Sequence, residues 1–247
     1  MYSDIGPSRS VFTRAKAGLA AAVLWGLALT GATSATATGT PVSVTASAAG
    51  LRSQTADLGA HAVSADTKLM ADWVVSSDDN RDLPFIIVDK ASARLVLFDA
   101  RGRIDATAPV LLGMARGDDS PPGVGDKPLA SITPAERITP AGRFVAEPGV
   151  NMAGQDIVWI DFGAAVSLHR ASDRKPGMAA KSRVDRLDTP TVLDNRVSLG
   201  CVNVSTEFFD GYVRAFGRAA GIIYILPETR TARAEFHIPM ATELARR

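Results

Sequence analysis

The stretch PFIIVDKASARLVLFD, residues 84–99, decides the fold class of this chain. Phe85–Val88 is an apolar run of strand length, and Arg94–Phe98 is a second one. The intervening residues DKASA are suited to a turn, so the two runs are predicted to pair as an antiparallel hairpin. A third strand is expected to follow the turn after Phe98 and to end at Val110–Gly113.

The rest of the sequence adds more strands and two helices to this hairpin. Further strands are predicted over Arg143–Ala146, Ile157–Asp161, Ala165–His169 and Gly221–Leu226. A helix from Ser205 to Phe216 has a good N-cap in Ser205 and a good stop in Gly217. A shorter helix, capped by Asp66, is expected to run to about Val75. The expected fold is therefore mainly β, a sandwich of hairpins beside one substantial helix.

Residues 114–142 form a long connection between predicted strands, and they are rich in glycine and proline. Long connections in compact domains are uncommon unless they serve a function. We therefore expect an ordered functional loop here.

The N-terminus has the three parts of a secretory signal peptide: basic residues, the apolar run at 17–30, and small residues around Ala37. Cleavage after Ala37 is expected, and an uncleaved anchor is the alternative. Residues 38–83 then form a tether with a short helix, 84–227 the main domain, and 228–247 a C-terminal tail. The protein is expected to be exported to the periplasm or cell envelope.

The composition excludes several classes of function. The 27 basic and 26 acidic residues among 247 give a net charge of +1, which argues against a strongly basic nucleic-acid binder. One cysteine excludes a disulfide scaffold and a multi-cysteine metal site, and three histidines leave little material for a metal cage. No metal is therefore expected.

Cys201 is the most informative residue. A lone thiol in an exported chain is either buried and inert or reactive for a purpose. Cys201 lies just before the helix that Ser205 caps, where unpaired N–H groups stabilise a thiolate. Gly200 permits a close approach of backbone to substrate, and N–H groups there could bind an oxyanion.

A thiol nucleophile needs a base, and His169 is the candidate because it ends a predicted strand of the same domain. The alternative is a structural histidine, which is commoner. His61 lies in the tether and His237 in the tail, so both are expected to be structural or exposed to solvent.

These residues resemble the L,D-transpeptidase (YkuD) family of bacterial cell-wall enzymes. The family has an upstream histidine, then Ser/Thr-His-Gly-Cys with Asn or Arg two residues beyond, and here His169 precedes Ser198-Leu199-Gly200-Cys201-Val202-Asn203. Thr139-Pro140-Ala141-Gly142-Arg143-Phe144 is similar to the family's Thr-Pro-x-Gly-x-Phe segment, and residues 87–99 are similar to its opening hairpin.

The chain departs from the family in two places. Leu199 replaces the second histidine, and leucine can neither titrate nor form hydrogen bonds. The separation of His169 from Ser198 is longer than usual, which resembles a divergent branch from Alpha- and Betaproteobacteria. That branch is associated with cross-links from L-Ala at stem position 1 to diaminopimelate at position 3. The insert is basic, either as a solvated lid or as a rim for stem carboxylates. Its basic residues are Arg170, Arg174, Lys175, Lys181, Arg183, Arg186 and Arg196.

The resemblance implies an exported cysteine L,D-transpeptidase with Cys201 as nucleophile and His169 as base. Ser198 then positions the thiol or the histidine, Asn203 braces the turn, and the N–H groups of Gly200 and Cys201 hold the oxyanion. The expected substrate-binding residues are Arg170, Arg196, Trp159 and Met114. Peptidoglycan stem peptides are the expected partner, with no nucleic acid, no metal, no organic cofactor and a monomeric chain.

Two other readings stay open. Loss of the second histidine at Leu199 is compatible with a non-catalytic peptidoglycan-binding protein. Water as the resolving nucleophile would make the enzyme an L,D-carboxypeptidase. The cross-link expected from a transpeptidase is the 1–3 type in preference to 3–3.

Overall fold

The computed structural model describes residues 55–172 and 182–240. The predicted signal peptide, most of the tether and the end of the tail lie outside the described residues. The strands there are β1 Phe85–Asp89, β2 Arg94–Phe98, β3 Ile104–Pro109, β4 Leu112–Gly113, β5 Gly142–Val145, β6 Glu147–Val150, β7 Asp156–Asp161, β8 Val166–Arg170, β9 Arg196–Ser198, β10 Val202–Val204 and β11 Ile222–Ile225.

The helices within the same residues are α1 Ala65–Ser77, α2 Arg183–Leu187, α3 and α4 Ala232–Glu235. The third, α3, begins with Thr206–Phe208, continues through a π-helical turn Phe209–Val213 and ends with Arg214–Arg218. Short 3₁₀ turns at Val124–Asp126, Leu129–Ser131 and Pro134–Glu136 order the loop 114–142.

Two sheets pack face to face, so the predicted mainly β sandwich is confirmed. One sheet has the order β3-β2-β1-β11-β5 and the other has the order β10-β8-β7-β6, with β4 and β9 forming a small third sheet. Side chains of both large sheets, such as Ile86, Leu97, Val158 and Leu168, share one buried core. Helix α3 adds Phe209 to that core.

The opposite face of the five-stranded sheet is also covered. Met70 and Val74 of α1 pack there with Phe85 and Tyr224, and Phe236 after α4 joins them. Burial on both faces accounts for the fully buried pattern of β1, which is continuous and not alternating. The helix of the predicted tether and part of the predicted tail thus pack on the sandwich.

The predicted hairpin is confirmed, since β1 pairs antiparallel with β2 and β2 with β3. Three parallel pairs in the described residues were not predicted: β1 with β11, β8 with β10, and β4 with β9. Parallel partners are joined by long crossovers, so no local turn signal identifies them.

Both predicted helices form, with corrected ends. Ser64, not Asp66, caps α1, because its hydroxyl accepts the N–H of Thr67 at 3.0 Å. Ser205 caps α3 as predicted, accepting from Phe208 N at 3.1 Å. Gly217 does not end α3, which continues to Arg218.

The buried face of α3 is not the one that a regular helix would give. Phe209 in the π-helical turn is buried and Tyr212 is 43% exposed, although Phe208, Tyr212 and Phe216 have the four-residue spacing of one helical face. A π turn adds a residue to the helical repeat, so the apolar spacing of a regular helix no longer holds beyond it.

Candidate active site

Two parallel strands bring the predicted nucleophile and base together. In the pairing of β8 with β10, Val202 lies opposite Leu168 and Asn203 opposite His169. Cys201 therefore precedes β10 beside Ser167, whose Oγ lies 3.6 Å from the Cys201 Sγ. The Cys201 side chain is half-buried, and it is the only cysteine in the chain.

The thiol and the imidazole interact electrostatically. Burial by itself raises the pKa of Cys201, but hydrogen bonding and charge attraction to His169, with further hydrogen bonds from Ser167, lower the pKa below its ordinary value. Burial by itself lowers the pKa of His169, and the interaction with Cys201 raises it overall. Each ionised partner stabilises the other, so the pair favours a thiolate beside an imidazolium.

The His169 ring is held from two sides. Its Nδ1 lies 2.9 Å from the carbonyl oxygen of Arg170, which can only accept, so Nδ1 donates. Its Nε2 lies 2.9 Å from Nδ2 of Asn203, a side chain with no solvent exposure. Asn203 thus contacts the histidine directly, and its backbone also pairs with Leu111.

The amide of Asn203 is only partly satisfied. In the described part of the chain its Oδ1 is buried without a hydrogen-bond partner. An imidazolium carries a proton on both ring nitrogens, and a rotated amide would present Oδ1 to the Nε2–H. Asn203 is therefore suited to stabilise both protonation states of His169.

The backbone before Cys201 is fixed by side-chain hydroxyls. Gly200 has φ +133°, and a Cβ there would lie 2.8 Å from the carbonyl oxygen of Ile138, so glycine is required. Ser198 Oγ accepts the Gly200 N–H at 3.1 Å and donates to the Cys201 carbonyl at 2.6 Å. Thr139 Oγ1 donates to the Gly200 carbonyl at 2.8 Å.

These contacts bear on the oxyanion donors expected from the sequence. The Gly200 N–H already donates to Ser198 Oγ, so it is not available to bind an oxyanion. Ser198 positions the loop and does not touch the thiol sulfur through any contact in the described residues. The Cys201 N–H is then the remaining donor of the expected pair.

A cavity of about 200 Å³ opens beside the thiol. Cys201, His169 and Asn203 line one side, and loop 114–142 supplies the other. The apolar part of the lining consists of Val124, Leu129, Ile132, Ala164, Ala165 and Leu199. Lys127, which pairs with Glu136, and Arg183 add positive charge. Leu199 thus contributes apolar surface at the position of the family's second histidine.

None of the four residues expected to bind substrate lines the cavity. Arg170 pairs with Asp156 at 2.9 Å and with Asp210 at 2.5 Å. Arg196 pairs with Glu228 at 2.5 Å, and neither arginine belongs to the cavity lining. These ion pairs give both arginines a structural role.

The two apolar residues of that group border the site. Trp159 lies opposite Ser167 in the β7–β8 pair and contacts Phe162 edge to face. Met114 is 42% exposed, and its N–H donates to the Ser198 carbonyl at 3.0 Å. Neither lines the cavity itself.

Some residues of the site were not predicted. Ser167 stands two positions before His169 on the same strand, so strand alternation could have placed both on one face. Thr139 and Lys127 reach the site through the packing of distant segments. Arg183, which belongs to the predicted basic insert, lines the cavity. Arg174, Lys175 and Lys181 of the predicted basic insert lie outside the described residues.

Two general features complete the description of residues 55–172 and 182–240. No group of three or more potential metal ligands occurs among them. No helix there is long and apolar enough to cross a bilayer. His61 and His237 are exposed and distant from the thiol in sequence.

Comparison with known proteins gives only distant structural similarity. No family model and no curated protein matches the sequence. Among solved structures, the helical cell shape determining protein Pgp2 from Campylobacter jejuni is 11% identical with a TM-score of 0.40, covering 60% of this chain and 49% of that one. An L,D-transpeptidase from Enterococcus faecium is 16% identical with a TM-score of 0.31, covering 57% and 49%.

A further solved structure is similar at the same level. An L,D-transpeptidase from Xylanimonas cellulosilytica is 15% identical with a TM-score of 0.33, covering 58% of this chain and 60% of that one. The present chain thus spans about half the length of the first two structures.

Proposed function

We propose that this protein is a cysteine acyltransferase of the cell wall, an exported L,D-transpeptidase that acts on peptidoglycan stem peptides. The observation that carries the proposal is the Cys201 thiol, paired with His169 and Ser167 at the wall of a cavity. The motif resemblance around Ser198–Asn203 supplies the substrate class. In this proposal residues 1–37 direct export, and the chain acts as a monomer without metal or organic cofactor.

The proposed reaction has two halves. The Cys201 thiolate attacks the carbonyl of an L-centre in a donor stem, and the Cys201 N–H binds the oxyanion that forms. The imidazolium of His169 gives its proton to the leaving amine, and a thioester remains on Cys201. An acceptor amine then attacks the thioester carbonyl and gives a proton to His169. The carbon–sulfur bond breaks, which releases the new amide and regenerates the Cys201 thiolate.

The cavity suits such a donor. Its apolar wall, with Leu199 and Leu129, excludes water from the thioester, and Lys127 and Arg183 provide positive charge for stem carboxylates. The long separation of His169 from Ser198, with a non-histidine residue before Gly200-Cys201, resembles the branch associated with L-Ala(1)–diaminopimelate(3) cross-links, so we propose these cross-links in preference to 3–3 cross-links.

The deciding experiment incubates the purified protein with disaccharide-tetrapeptide muropeptides and reads the products by mass spectrometry beside Cys201→Ala. We expect dimers that depend on Cys201, and fragmentation then distinguishes a 1–3 from a 3–3 linkage. Shortened monomers without dimers would identify an L,D-carboxypeptidase instead.

Leu199 favours a second candidate function, a non-catalytic peptidoglycan-binding protein, because it lines the cavity where relatives have a histidine. This candidate predicts no product from any stem length and equal retention of the protein and Cys201→Ala on isolated sacculi. Products that depend on Cys201 exclude it.

A further inference from the structure

Two hydroxyl groups hold the peptide groups on either side of Cys201. Ser198 donates to the carbonyl that follows the nucleophile, at 2.6 Å, and Thr139 donates to the Gly200 carbonyl that precedes it, at 2.8 Å. Ser198 belongs to the motif around the cysteine, but Thr139 comes from the far end of loop 114–142. The orientation of the nucleophile's own N–H is therefore set partly by a distant segment.

Thr139 is saturated in this arrangement. Its side chain has no solvent exposure, and its Oγ1 also accepts the N–H of Gly113 at 2.8 Å. The Thr139 hydroxyl has one proton. Because its oxygen accepts the Gly113 N–H, that proton is directed to the Gly200 carbonyl. The hydroxyl thus joins β4 to the loop that carries the thiol.

The backbone of Thr139 is itself anchored. Its carbonyl accepts from Lys90 Nζ at 2.9 Å, and Lys90 is a fully buried cation that also pairs with Asp118 at 2.8 Å. The neighbouring carbonyl of Ile138 lies where a Cβ on Gly200 would stand. This segment therefore meets the Gly200 backbone in close contact and has little freedom to shift.

Because the peptide bond is planar, holding the Gly200 carbonyl also fixes the direction of the Cys201 N–H. In a trans peptide the carbonyl and the next N–H point in opposite directions, and the described residues contain no cis peptide. A Gly200 carbonyl held against Thr139 therefore turns the Cys201 N–H to the opposite side. Because Gly200 has no Cβ, its ψ would otherwise be free enough for this peptide plane to rotate.

We infer that Thr139 is a positioning residue, whose hydroxyl holds the Gly200–Cys201 peptide so that the Cys201 N–H meets the oxyanion of an acyl substrate. The inference deepens the proposed function, but it concerns any acyl donor and not peptidoglycan alone. It predicts that Thr139 matters for reactions that pass through an oxyanion and not for reactions of the thiol that form none.

The test compares two reagents on the purified full chain. Iodoacetamide alkylates the thiolate by displacing iodide and forms no oxyanion. With p-nitrophenyl acetate the thiolate adds to the carbonyl, an oxyanion forms, and nitrophenolate leaves an acetyl thioester. Because Cys201 is the only cysteine, the rate that remains in Cys201→Ala gives the background for both reagents.

Thr139→Val keeps the shape of the side chain and removes the hydroxyl, and Thr139→Ser keeps the hydroxyl. We expect Thr139→Val to slow acylation about 10- to 100-fold. This effect is no larger than that of removing a complete oxyanion donor. Alkylation and its pH profile should stay within about twofold of the wild type, and Thr139→Ser should restore acylation.

Three results would overturn the inference: equal losses of acylation and alkylation, no loss of either, or a Thr139→Ser variant as slow in acylation as Thr139→Val. If Thr139→Val does not fold, Thr139→Ala gives the same comparison against Thr139→Ser. Neither reagent contains a peptidoglycan stem, so a failure here is distinct from a failure to cross-link muropeptides.

Discussion

At the scale of residues, the chemistry depends on the ionisation of Cys201 and His169. The pKa of Cys201 is lowered and the pKa of His169 is raised, so the two values move toward each other and the thiolate–imidazolium pair becomes easier to form. The two apparent pKa values describe the coupled titration of the pair and not of either residue alone, because each charge stabilises the other. Both groups are at least partly buried, so the loss of one partner leaves the desolvation cost of the other less compensated.

This coupling predicts the behaviour of His169→Ala. Without the imidazole, burial raises the pKa of Cys201, and the pH midpoint of alkylation by iodoacetamide should move upward. Each unit of this shift lowers the thiolate fraction at neutral pH about tenfold. The rate of alkylation measured across pH checks this, with exposed His237→Ala as the matched control. An unchanged midpoint in His169→Ala would contradict the ion pair.

Residue identity was predictable from the sequence where chemistry restricts the choice. A lone thiol before a helix and a histidine on a strand of the same domain identified Cys201 and His169. Their supporting contacts were not predictable, because Thr139 and Asn203 act through segments that only the folded chain brings together. The contact of Asn203 with the imidazole follows from parallel pairing, which the sequence did not indicate.

At the scale of elements, the helix after the nucleophile is secured at both ends by different means. Its N-terminus is capped by Ser205, and near its C-terminus Gly217 packs so closely that a Cβ would lie 2.6 Å from Val158 of β7. The existence of such elements could be read from apolar runs and caps. The π turn could not, because tertiary packing and not local preference maintains it.

The cap gives a prediction for α3. Ser205→Ala leaves the Phe208 N–H without its acceptor and should lower the free energy of unfolding by about 1 kcal/mol. Denaturant unfolding measures this loss. Ser76→Ala is the control, because that hydroxyl donates to a carbonyl within α1 and caps no N-terminus. Equal losses in the two variants would contradict the capping role.

At the scale of the whole molecule, a buried charge cluster ties the start and the end of the domain to the loop between them. Lys90 and Asp118 have no exposed side-chain surface, and Glu228 is only 2% exposed. Asp118 also accepts the N–H groups of Glu228 at 2.7 Å and Thr229 at 2.8 Å. Residues after Pro227, which showed no recognisable chemistry in the sequence, complete this cluster.

This cluster predicts a large cost for Asp118→Asn. Without the Asp118 charge, buried Lys90 keeps the more distant Glu228 carboxylate at 3.9 Å, and the free energy of unfolding should fall by about 3–5 kcal/mol near neutral pH. Asp72→Asn removes the partly exposed carboxylate that pairs with Lys68, keeps an oxygen for the Ala56 N–H, and should cost less than about 1 kcal/mol. Similar losses from the two substitutions, measured by denaturant unfolding, would contradict this account.

The same variant has a pH signature. Although burial alone would raise the pKa of Asp118, its hydrogen bonds from Lys90 and Thr229 hold the pKa well below its usual range. A depressed carboxyl pKa stabilises the fold above the unfolded value of about 3.9. That contribution is lost as the pH falls through the folded pKa, so the difference between wild type and Asp118→Asn should narrow in acid.

The parallel pair of β1 and β11 also governs the order in which the molecule can form. The central strand β1 pairs with β11, which is synthesised more than 130 residues after β1. Until then Ile86 and Val88 lie on an unpaired edge, and long-range pairing of this kind slows folding. A nascent chain that lacks β11 therefore cannot complete the pairing of β1 or place Ile223 and Ile225 in the shared core.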